Sequence, residues 1–207
     1  MSMRIEEVGL YDYLRSKGMP GLKENVEHFT LKKGSEVYSA PQRYTNLYEI
    51  VSGAVKLGRL SAKGKECIYE ILTPGEIFGN LAVLNDMPFD EFSKTLTGTE
   101  IRSYNIHFFK EQLVDPAVTN WFYPKIVSRW YKTETILFYI RSFEPRKRIQ
   151  QVYLDLRKKI FTAHNREIYL DKLISYSDIA DLTATTRQLV AETLKEMSDS
   201  YTPHVGF

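Results

Sequence analysis

Residues 123–142, YPKIVSRWYKTETILFYIRS, lie between a strand-rich half of the chain and a helix-rich half. Their apolar positions recur at steps of 3, 4, 3, 4 and 3 residues, which is the a/d spacing of a helix with an apolar seam. The seam positions are Tyr123, Ile126, Trp130, Thr133, Leu137 and Ile140. On spacing alone two interpretations stay open: the seam faces another helix, or it packs on its own domain.

The overall composition excludes several kinds of protein. The net charge of +2, from 28 basic and 26 acidic residues, is too small to argue for nucleic acid or a membrane by itself. Cys67 is the single cysteine, which excludes an internal disulfide, a four-cysteine zinc site and an all-cysteine iron–sulfur cluster. No signal-peptide run or membrane-span pattern is present, so the sequence predicts a cytoplasmic protein.

The first half of the chain contains short apolar runs separated by turn residues. A helix is predicted over residues 5–16, and residues 61–64, Ser-Ala-Lys-Gly, are predicted to form a hairpin turn. Many short strands at this spacing are typical of a small sandwich, jelly roll or barrel. The predicted strands are HFTLKKG (28–34), EVYSA (36–40), LYEIVSG (47–53), AVKLGRL (54–60), ECIYEIL (66–72) and IRSYNI (101–106).

Four motifs in the first half carry a resemblance to a known family. They are F-x-L-K-K-G (29–34), L-Y-x-I-V-S-G-A-V-K (47–56), S-A-K-G-K-E (61–66) and T-P-G-E-I-F-G-N-L-A (73–82). Their order resembles the cyclic-nucleotide-binding domain of the CRP/FNR family of bacterial transcription regulators. The resemblance implies an α+β fold: an N-terminal double-stranded β-helix, or β-roll, followed by a long central helix through which two subunits dimerise. It therefore favours the dimer interpretation, with Ile126, Trp130, Thr133, Leu137 and Ile140 at the interface.

The candidate ligand pocket departs from the family pattern. In members that bind cyclic nucleotides, an acidic residue meets the ribose and an Arg-Ser or Arg-Thr pair holds the cyclic phosphate. Asn80 stands at the acidic position, and Phe89 and Asp90 stand about where the pair would be. A buried phosphate needs a cation, so we expect no cofactor and no cyclic AMP bound in the usual way; the effector is unknown. The candidate pocket residues are Gly79, Asn80, Leu81, Phe89, Asp90 and Thr133.

Thr133 has two interpretations. By the resemblance, it falls where the family's central helix reaches the nucleotide base. Alternatively, it is a small polar residue that the helix seam tolerates without any contact to a ligand.

Residues 174–197, ISYSDIADLTATTRQLVAETLKEM, carry the strongest functional signal. Ser175 or Ser177 caps a first helix of about two turns, and a threonine caps a second helix after a short turn. Ala184 occupies the turn position where glycine is usual. The pattern predicts a helix-turn-helix, the alternative being a pair of core helices. It also resembles the C-terminal motif of the same family, in the same order along the chain.

The second helix of this motif would enter the DNA major groove. Arg187 matches the family's base-reading arginine and is suited to guanine, and Gln188 is suited to adenine. The carboxylate of Glu192 can accept a hydrogen bond from the cytosine amino group, but its charge repels phosphate. The basic clusters 146–148 and 157–159 are either phosphate contacts or solvated helix faces. The candidate DNA-binding residues are Thr185, Thr186, Arg187, Gln188, Glu192 and Lys195.

These observations predict three parts: a sensor domain at 1–115, a dimerisation helix at 116–143 and a DNA-binding domain at 144–207 with a shortened or absent wing. A proline at position 145 ends the long helix, and a further helix is predicted over 146–160. The implied partners are double-stranded DNA, a second copy of the chain and RNA polymerase, with no membrane. The alternative is a protein whose β-roll binds a ligand or partner and whose DNA binding is impaired or absent. The sequence offers no catalytic set and no metal motif, so an enzyme is not expected.

Overall fold

Two antiparallel four-stranded sheets lie between residues 26 and 105 of the computed structural model, which describes residues 5–39, 46–79 and 90–201. The strands are β1 (Val26–Leu31), β2 (Glu36–Tyr38), β3 (Asn46–Ser52), β4 (Val55–Leu60), β5 (Glu66–Leu72), β6 (Ile77–Gly79), β7 (Phe92–Thr95) and β8 (Thr99–Asn105). Their order is β1-β8-β3-β6 in one sheet and β2-β7-β4-β5 in the other. Both sheets contribute to one apolar core, with Ile50 from the first and Leu57 from the second, which confirms the predicted β-roll.

Each predicted run in this half contains a strand. The turn between β4 and β5 also forms as predicted, because Gly64 takes a positive φ of 74° and Ser61 exchanges backbone hydrogen bonds with Gly64 and Lys65, both at 2.8 Å. Strands β6 and β7 were not predicted. They have only three and four residues, too few to show an alternating pattern.

Helices pack against one end of the β-roll and lead into the long central helix. They are α1 (Ile5–Ser16), α2 (Leu22–Asn25), α3 (Ile106–Gln112) and α4 (Pro116–Ser142). Helix α4 begins earlier than the predicted seam: Asp115 caps it by accepting from the Ala117 amide at 2.8 Å, and Tyr13 of α1 donates to the same carboxylate at 2.8 Å. Its first turns bury Trp121 and Phe122 in the core with α1 and α3.

As far as Tyr201, where the described residues end, the C-terminal part contains three helices and a two-stranded hairpin. They are α5 (Pro145–Leu156), β9 (Lys159–Phe161), β10 (Glu167–Tyr169), α6 (Tyr176–Leu182) and α7 (Arg187–Tyr201), with a single 3-10 turn at Leu170–Lys172. The predicted helix over 146–160 was wrong at its C-terminal end. Helix α5 ends at Leu156, and Ile160 belongs to strand β9, which pairs with β10. Helix α7 continues to Tyr201, and the remainder of the sequence considered for the wing lies outside the described residues.

The C-terminal part is docked on the β-roll of the same chain. Ile68 and Ile71 of β5 share an apolar core with Ile179 and Leu182 of α6. The hairpin adds backbone hydrogen bonds, from the Gly53 amide to the Phe161 carbonyl at 2.7 Å and from the Ala163 amide to the Gly98 carbonyl at 2.9 Å.

Two aspartates of α6 complete this contact. Lys56 of β4 pairs with Asp178 at 2.7 Å, and the Ile68 amide donates to the Asp181 carboxylate at 3.1 Å. Because Asp178 is buried, its attraction to Lys56 is less screened by solvent than that of a surface pair, and removing either partner would leave the other charge buried and unpaired. The position of α6 relative to the β-roll is therefore set by apolar packing together with charge-assisted hydrogen bonds.

The turn between α6 and α7 is closed without a glycine. Ala184 takes a left-handed conformation with a φ of 49°, and the Thr185 amide donates to the Ala180 carbonyl at 2.9 Å. The buried Thr183 hydroxyl donates to the Ile179 carbonyl at 2.7 Å. Alanine at the usual glycine position is therefore strained, and the surrounding hydrogen bonds maintain it.

Ala184→Gly should stabilise the protein by about 1 kcal/mol, because glycine adopts positive φ without the steric cost that a Cβ carries. The midpoint of urea unfolding measures the change. Ala191→Gly, inside α7, is the matched control and should destabilise by about 1 kcal/mol. An Ala184→Gly variant less stable than the parent protein would contradict the strain at this turn.

Candidate DNA-binding surface and sensor pocket

The first helix of the helix-turn-helix is fixed by a reciprocal cap. Ser175 Oγ accepts from the Asp178 amide at 3.1 Å, and the Asp178 carboxylate accepts from the Ser175 amide at 3.1 Å. Of the two serines that the sequence offered, Ser175 is the cap. Asp178 also pairs with Lys56 of β4. The same carboxylate therefore takes part in the cap of the first helix and connects that helix to the β-roll.

The second helix turns its apolar side inward. Val190 and Thr193 are fully buried, and the Thr193 hydroxyl donates to the Leu189 carbonyl at 2.7 Å. Thr186 caps the helix by accepting from the Leu189 amide at 3.2 Å. The structure brings the predicted DNA-binding residues to one surface of this motif, where Thr185 is half-buried and five are exposed: Thr186, Arg187, Gln188, Glu192 and Lys195.

Acidic side chains on this surface are already paired within the chain. Glu192 accepts from the Gln188 amide group at 3.0 Å and lies 3.5 Å from the Arg146 guanidinium, which also contacts Glu196 at 2.8 Å. Among the described residues, Arg187 makes no side-chain hydrogen bond and no ion pair. The N–H donors of its guanidinium therefore face solvent. They are available for a bidentate pair of hydrogen bonds to guanine.

The basic clusters divide between internal and exposed roles. Arg148 donates to the Ile140 carbonyl at 3.2 Å and to the Ala184 carbonyl at 2.9 Å, so it connects the end of α4 to the turn of the motif. Lys158 donates to the Thr73 hydroxyl at 3.2 Å, and Lys159 pairs with Glu167 at 2.8 Å. These three residues have internal partners, whereas Lys147 and Arg157 are exposed.

The predicted pocket residues are only partly placed. Asn80, Leu81 and Phe89 lie outside the described residues. Gly79 has a φ of 108°, and a Cβ there would come within 2.5 Å of the Asn46 carbonyl oxygen, so only glycine fits. Asp90 is exposed.

Thr133 is exposed on α4, and its hydroxyl donates to the Arg129 carbonyl at 3.0 Å. It lines a cleft of about 370 Å³ between β5, α4 and the C-terminal helices. Gly79 and Asp90 do not line this cleft, so the structure does not bring the placed candidates together at one cavity.

A buried charged cluster, which sequence reasoning missed, lies where β2, β5 and α4 meet. Arg129 of α4 donates to Glu70 of β5 through Nε at 3.1 and 3.2 Å and through Nη2 at 2.5 Å. Glu91, which is 8% exposed, accepts from the hydroxyls of Tyr38 on one oxygen and Tyr69 on the other. We call these five residues the anion cluster. The sequence showed Arg129 only as a charge off the seam, because its partners are distant in the chain.

The electrostatics of the anion cluster follow from burial. Burial raises the pKa of Glu91, and the hydrogen bonds from Tyr38 and Tyr69 and the charge of Arg129 act against that rise. Burial also raises the pKa of both tyrosines, and the nearby Glu91 carboxylate raises it further, so both remain donors. Burial alone would lower the pKa of Arg129, but its hydrogen bonds to Glu70 raise it overall.

Aromatic side chains fill the space between the sheets beside this cluster. The rings of Tyr38, Tyr48 and Phe78 lie with their centroids 5.2 to 5.9 Å apart. All three are buried. This part of the β-roll interior is therefore packed with the chain's own side chains.

The outward side of α4 carries an exposed apolar stripe. Trp130 is 65% exposed, Leu137 51% and Tyr123 60%, whereas the predicted seam residues Ile126 and Ile140 are half-buried. Val127 and Phe138 widen the stripe. The charged side chains Arg129 and Lys132 turn the other way, toward Glu70 and Glu76 of the β-roll.

Comparison with known proteins gives this architecture its context. A model of the cyclic nucleotide-binding domain matches residues 28–114. The chain is similar to the global nitrogen regulator of Synechococcus elongatus, with 24% identity over 96% of this chain and 90% of the relative. It is also similar to the CRP-like cAMP-activated global transcriptional regulator of Mycobacterium tuberculosis, with 20% identity over 94% of this chain and 87% of the relative.

Solved structures show the same fold. The structure of FixK2 from Bradyrhizobium japonicum superposes with a TM-score of 0.68 at 17% identity, over 84% of this chain and 85% of that one. In the described part of the chain, no helix is long and apolar enough to cross a bilayer. The resemblance predicted from the motifs is thus confirmed: a model of the cyclic nucleotide-binding domain matches residues 28–114, the chain is similar to two transcription regulators over most of its length, and it shares the fold of FixK2.

Proposed function

We propose that the chain is a homodimeric DNA-binding transcription regulator whose β-roll does not bind cyclic AMP in the usual way. Residues 1–115 form the sensor domain, 116–143 the dimerisation helix and 144–207 the DNA-binding domain. No catalytic role is assigned. RNA polymerase is a further proposed partner, on the resemblance alone.

The observation that carries the proposal is the exposed recognition surface of α7. A helix-turn-helix places the N-terminal residues of its second helix at base edges, and Arg187 and Gln188 occupy the first turn of α7. Arg187 reads guanine O6 and N7, and Gln188 reads adenine once it exchanges its bond to Glu192 for the base. Thr186 and Lys195 contact phosphates on either side.

The apolar stripe of α4 supports the proposed dimerisation. Exposed aromatic and aliphatic side chains that recur along one helix mark a partner-binding surface. The stripe runs along the side opposite Arg129, so a second copy can pair through it while each helix stays attached to its own β-roll. Two recognition helices related by the dimer axis would read a palindromic site.

The sensor pocket is proposed to lack the usual cyclic-phosphate site. Asp90 and Glu91 bring negative charge to the region where the family pair would hold the phosphate. Arg129, the cation in this region, is already paired with Glu70. A cyclic phosphate would therefore meet carboxylates in place of a free guanidinium.

A second candidate function is a β-roll that binds a ligand or partner without gripping DNA. It is favoured by the acidic side of α7, where Glu192 and Glu196 engage Arg146 and would repel the phosphate backbone.

Trp130→Asp should dissociate the dimer, because a charge at the middle of an apolar interface loses its hydration. Loss of a central aromatic residue costs about 2 kcal/mol or more, which raises the dissociation constant of the dimer by at least roughly 30-fold. Light scattering after size exclusion measures the mass. Val114→Asp, at an apolar position that is 85% exposed off α4, is the matched control and should stay dimeric. A monomeric parent protein would contradict the proposal.

Selection from a random double-stranded DNA library, at a stated near-physiological salt concentration, tests DNA recognition. We expect a palindrome with half-sites about one helical turn apart. On the recovered site, Arg187→Ala should weaken binding by about 1–3 kcal/mol, and Arg15→Ala, an exposed arginine of α1, should leave it unchanged. Enrichment of no sequence by the dimer would favour the second candidate, and full affinity of Arg187→Ala would refute the role of that residue.

Glu192→Ala should strengthen DNA binding at low salt, because it removes a carboxylate from the surface and weakens the restraint on Arg146. If Arg146 then reaches a phosphate, the slope of log affinity against log salt concentration should steepen by about 1. Glu111→Ala, at an exposed position of α3, is the control. An unchanged slope would show that Glu192 does not withhold Arg146 from a phosphate.

A further inference from the structure

Arg148 of α5 connects the end of α4 to the turn of the helix-turn-helix. Its Nη1 donates to the Ile140 carbonyl of α4 at 3.2 Å, and its Nη2 donates to the Ala184 carbonyl at 2.9 Å. The turn that contains Ala184 leads directly into α7, which begins at Arg187. One guanidinium therefore bridges the long central helix and the start of the helix that carries the DNA-binding candidates.

The first acceptor is a carbonyl that the end of α4 leaves without a helical partner. Phe143 and Glu144 are extended, with ψ angles of 145° and 150°, so the helix cannot continue. Its hydrogen-bond ladder ends where the Phe143 amide donates to the Tyr139 carbonyl at 3.0 Å. The next carbonyl, that of Ile140, accepts from Arg148 across this break.

The second acceptor lies just beyond the end of α6. The Thr185 amide donates to the Ala180 carbonyl at 2.9 Å, and the Ala184 amide donates to the Asp181 carbonyl at 3.2 Å. This pair of hydrogen bonds, with a left-handed residue at position 184, is a Schellman motif. The motif uses the amides of the turn, and Arg148 takes up the carbonyl of Ala184.

The electrostatics of two helix ends favour an arginine here. The C-terminal ends of α4 and α6 both carry partial negative charge, and the guanidinium lies at both of them. Among the described residues Arg148 is paired with no carboxylate, and its buried Nε makes no hydrogen bond. Its planar pair of Nη donors is thus engaged with main chain on two separate elements.

We infer that Arg148 is a positioning residue that holds α7 in a fixed place relative to α4 and thereby sets the separation of the two half-sites that a dimer reads. The inference rests on the proposed function, because only a dimer paired through α4 has two copies of α7 to separate. Slack between α4 and the turn displaces α7, and the dimer axis applies that displacement twice. Loss of Arg148 therefore broadens the preferred half-site separation, whereas loss of a phosphate contact leaves it sharp.

Arg148→Gln in the full-length protein tests the inference on DNA. Fluorescence anisotropy compares the selected palindrome with duplexes whose spacer is one base pair longer or shorter, which rotates one half-site by roughly 34°. The parent protein should lose about tenfold or more in affinity on each altered spacer. In the variant, affinity for the selected palindrome should fall about tenfold and the spacer penalty should shrink to about threefold or less, with an unchanged salt slope.

Arg141→Gln, at an exposed arginine in the last turn of α4, is the matched control. It should keep the affinity and the spacer penalty of the parent protein. If Arg148→Gln lowers the salt slope by about 1 and leaves the spacer penalty intact, Arg148 is a phosphate contact and the inference is overturned. Parent-like affinity and spacer penalty in Arg148→Gln would overturn it as well.

Hydrogen exchange measures the same connection without DNA. In Arg148→Gln the amides of Thr185, in the turn, and Phe143, at the end of α4, should exchange about tenfold faster. The Arg141→Gln control should leave exchange at Thr185 unaltered.

Arg148→Lys covers the case in which the glutamine variant does not fold. It keeps the positive charge at the two helix ends, but a single ammonium nitrogen replaces the two Nη donors. Exchange at Thr185 should still accelerate by about threefold or more. Parent-like exchange at Thr185 in this variant would refute the connection through Arg148.

The two readouts separate this inference from the proposed function. A chain that binds no DNA and still shows faster exchange at Thr185 in Arg148→Gln would refute the proposed function and the spacing role, while the connection between α4 and the turn would stand. A DNA-binding dimer whose Arg148→Gln variant keeps parent-like exchange and spacer penalty would refute the inference alone.

Discussion

The ion pair between Arg129 and Glu70 is the contact on which the rest of the arrangement depends. A guanidinium and a carboxylate removed from water must stay paired, so α4 cannot leave the β-roll without exposing or stranding a charge. Lys132 adds a second contact to Glu76. With one side of α4 fixed in this way, its apolar stripe lies on the exposed side, which is the surface that the proposed dimer would use.

Strand β5 connects this pair to the DNA-binding part. Tyr69 and Glu70 belong to the anion cluster. The backbone amide of the preceding residue, Ile68, donates a hydrogen bond to the Asp181 carboxylate of α6. Asp178, one turn earlier in α6, accepts from the amide of the capping residue Ser175 and pairs with Lys56. A change at the sensor pocket that moved β5 would therefore act directly on the first helix of the helix-turn-helix.

Local patterns allowed the sequence to predict the fold well. The long helix α4, the helix-turn-helix with its cap, and six strands of the β-roll depend on neighbours within a few residues, so their spacing was sufficient. Strands β6 and β7 were missed because three or four residues carry too little periodicity, and β9 was missed because the helical pattern predicted over 146–160 extends into it. The anion cluster was missed for a different reason: Glu91 and Arg129 acquire their roles only through partners brought together by the fold. The same holds for Arg148, a candidate phosphate contact whose donors are used inside the chain.

We propose that this chain binds DNA without a cyclic nucleotide, because Asp90 and Glu91 bring negative charge to the region of the expected phosphate site and Arg129 is already paired with Glu70. Fluorescence anisotropy on the selected DNA site, with and without saturating cyclic AMP or cyclic GMP, tests this central claim most directly. We predict a salt-sensitive dissociation constant that neither nucleotide changes. Binding that appears only with a cyclic nucleotide, or tightens about tenfold or more when one is added, would contradict the claim.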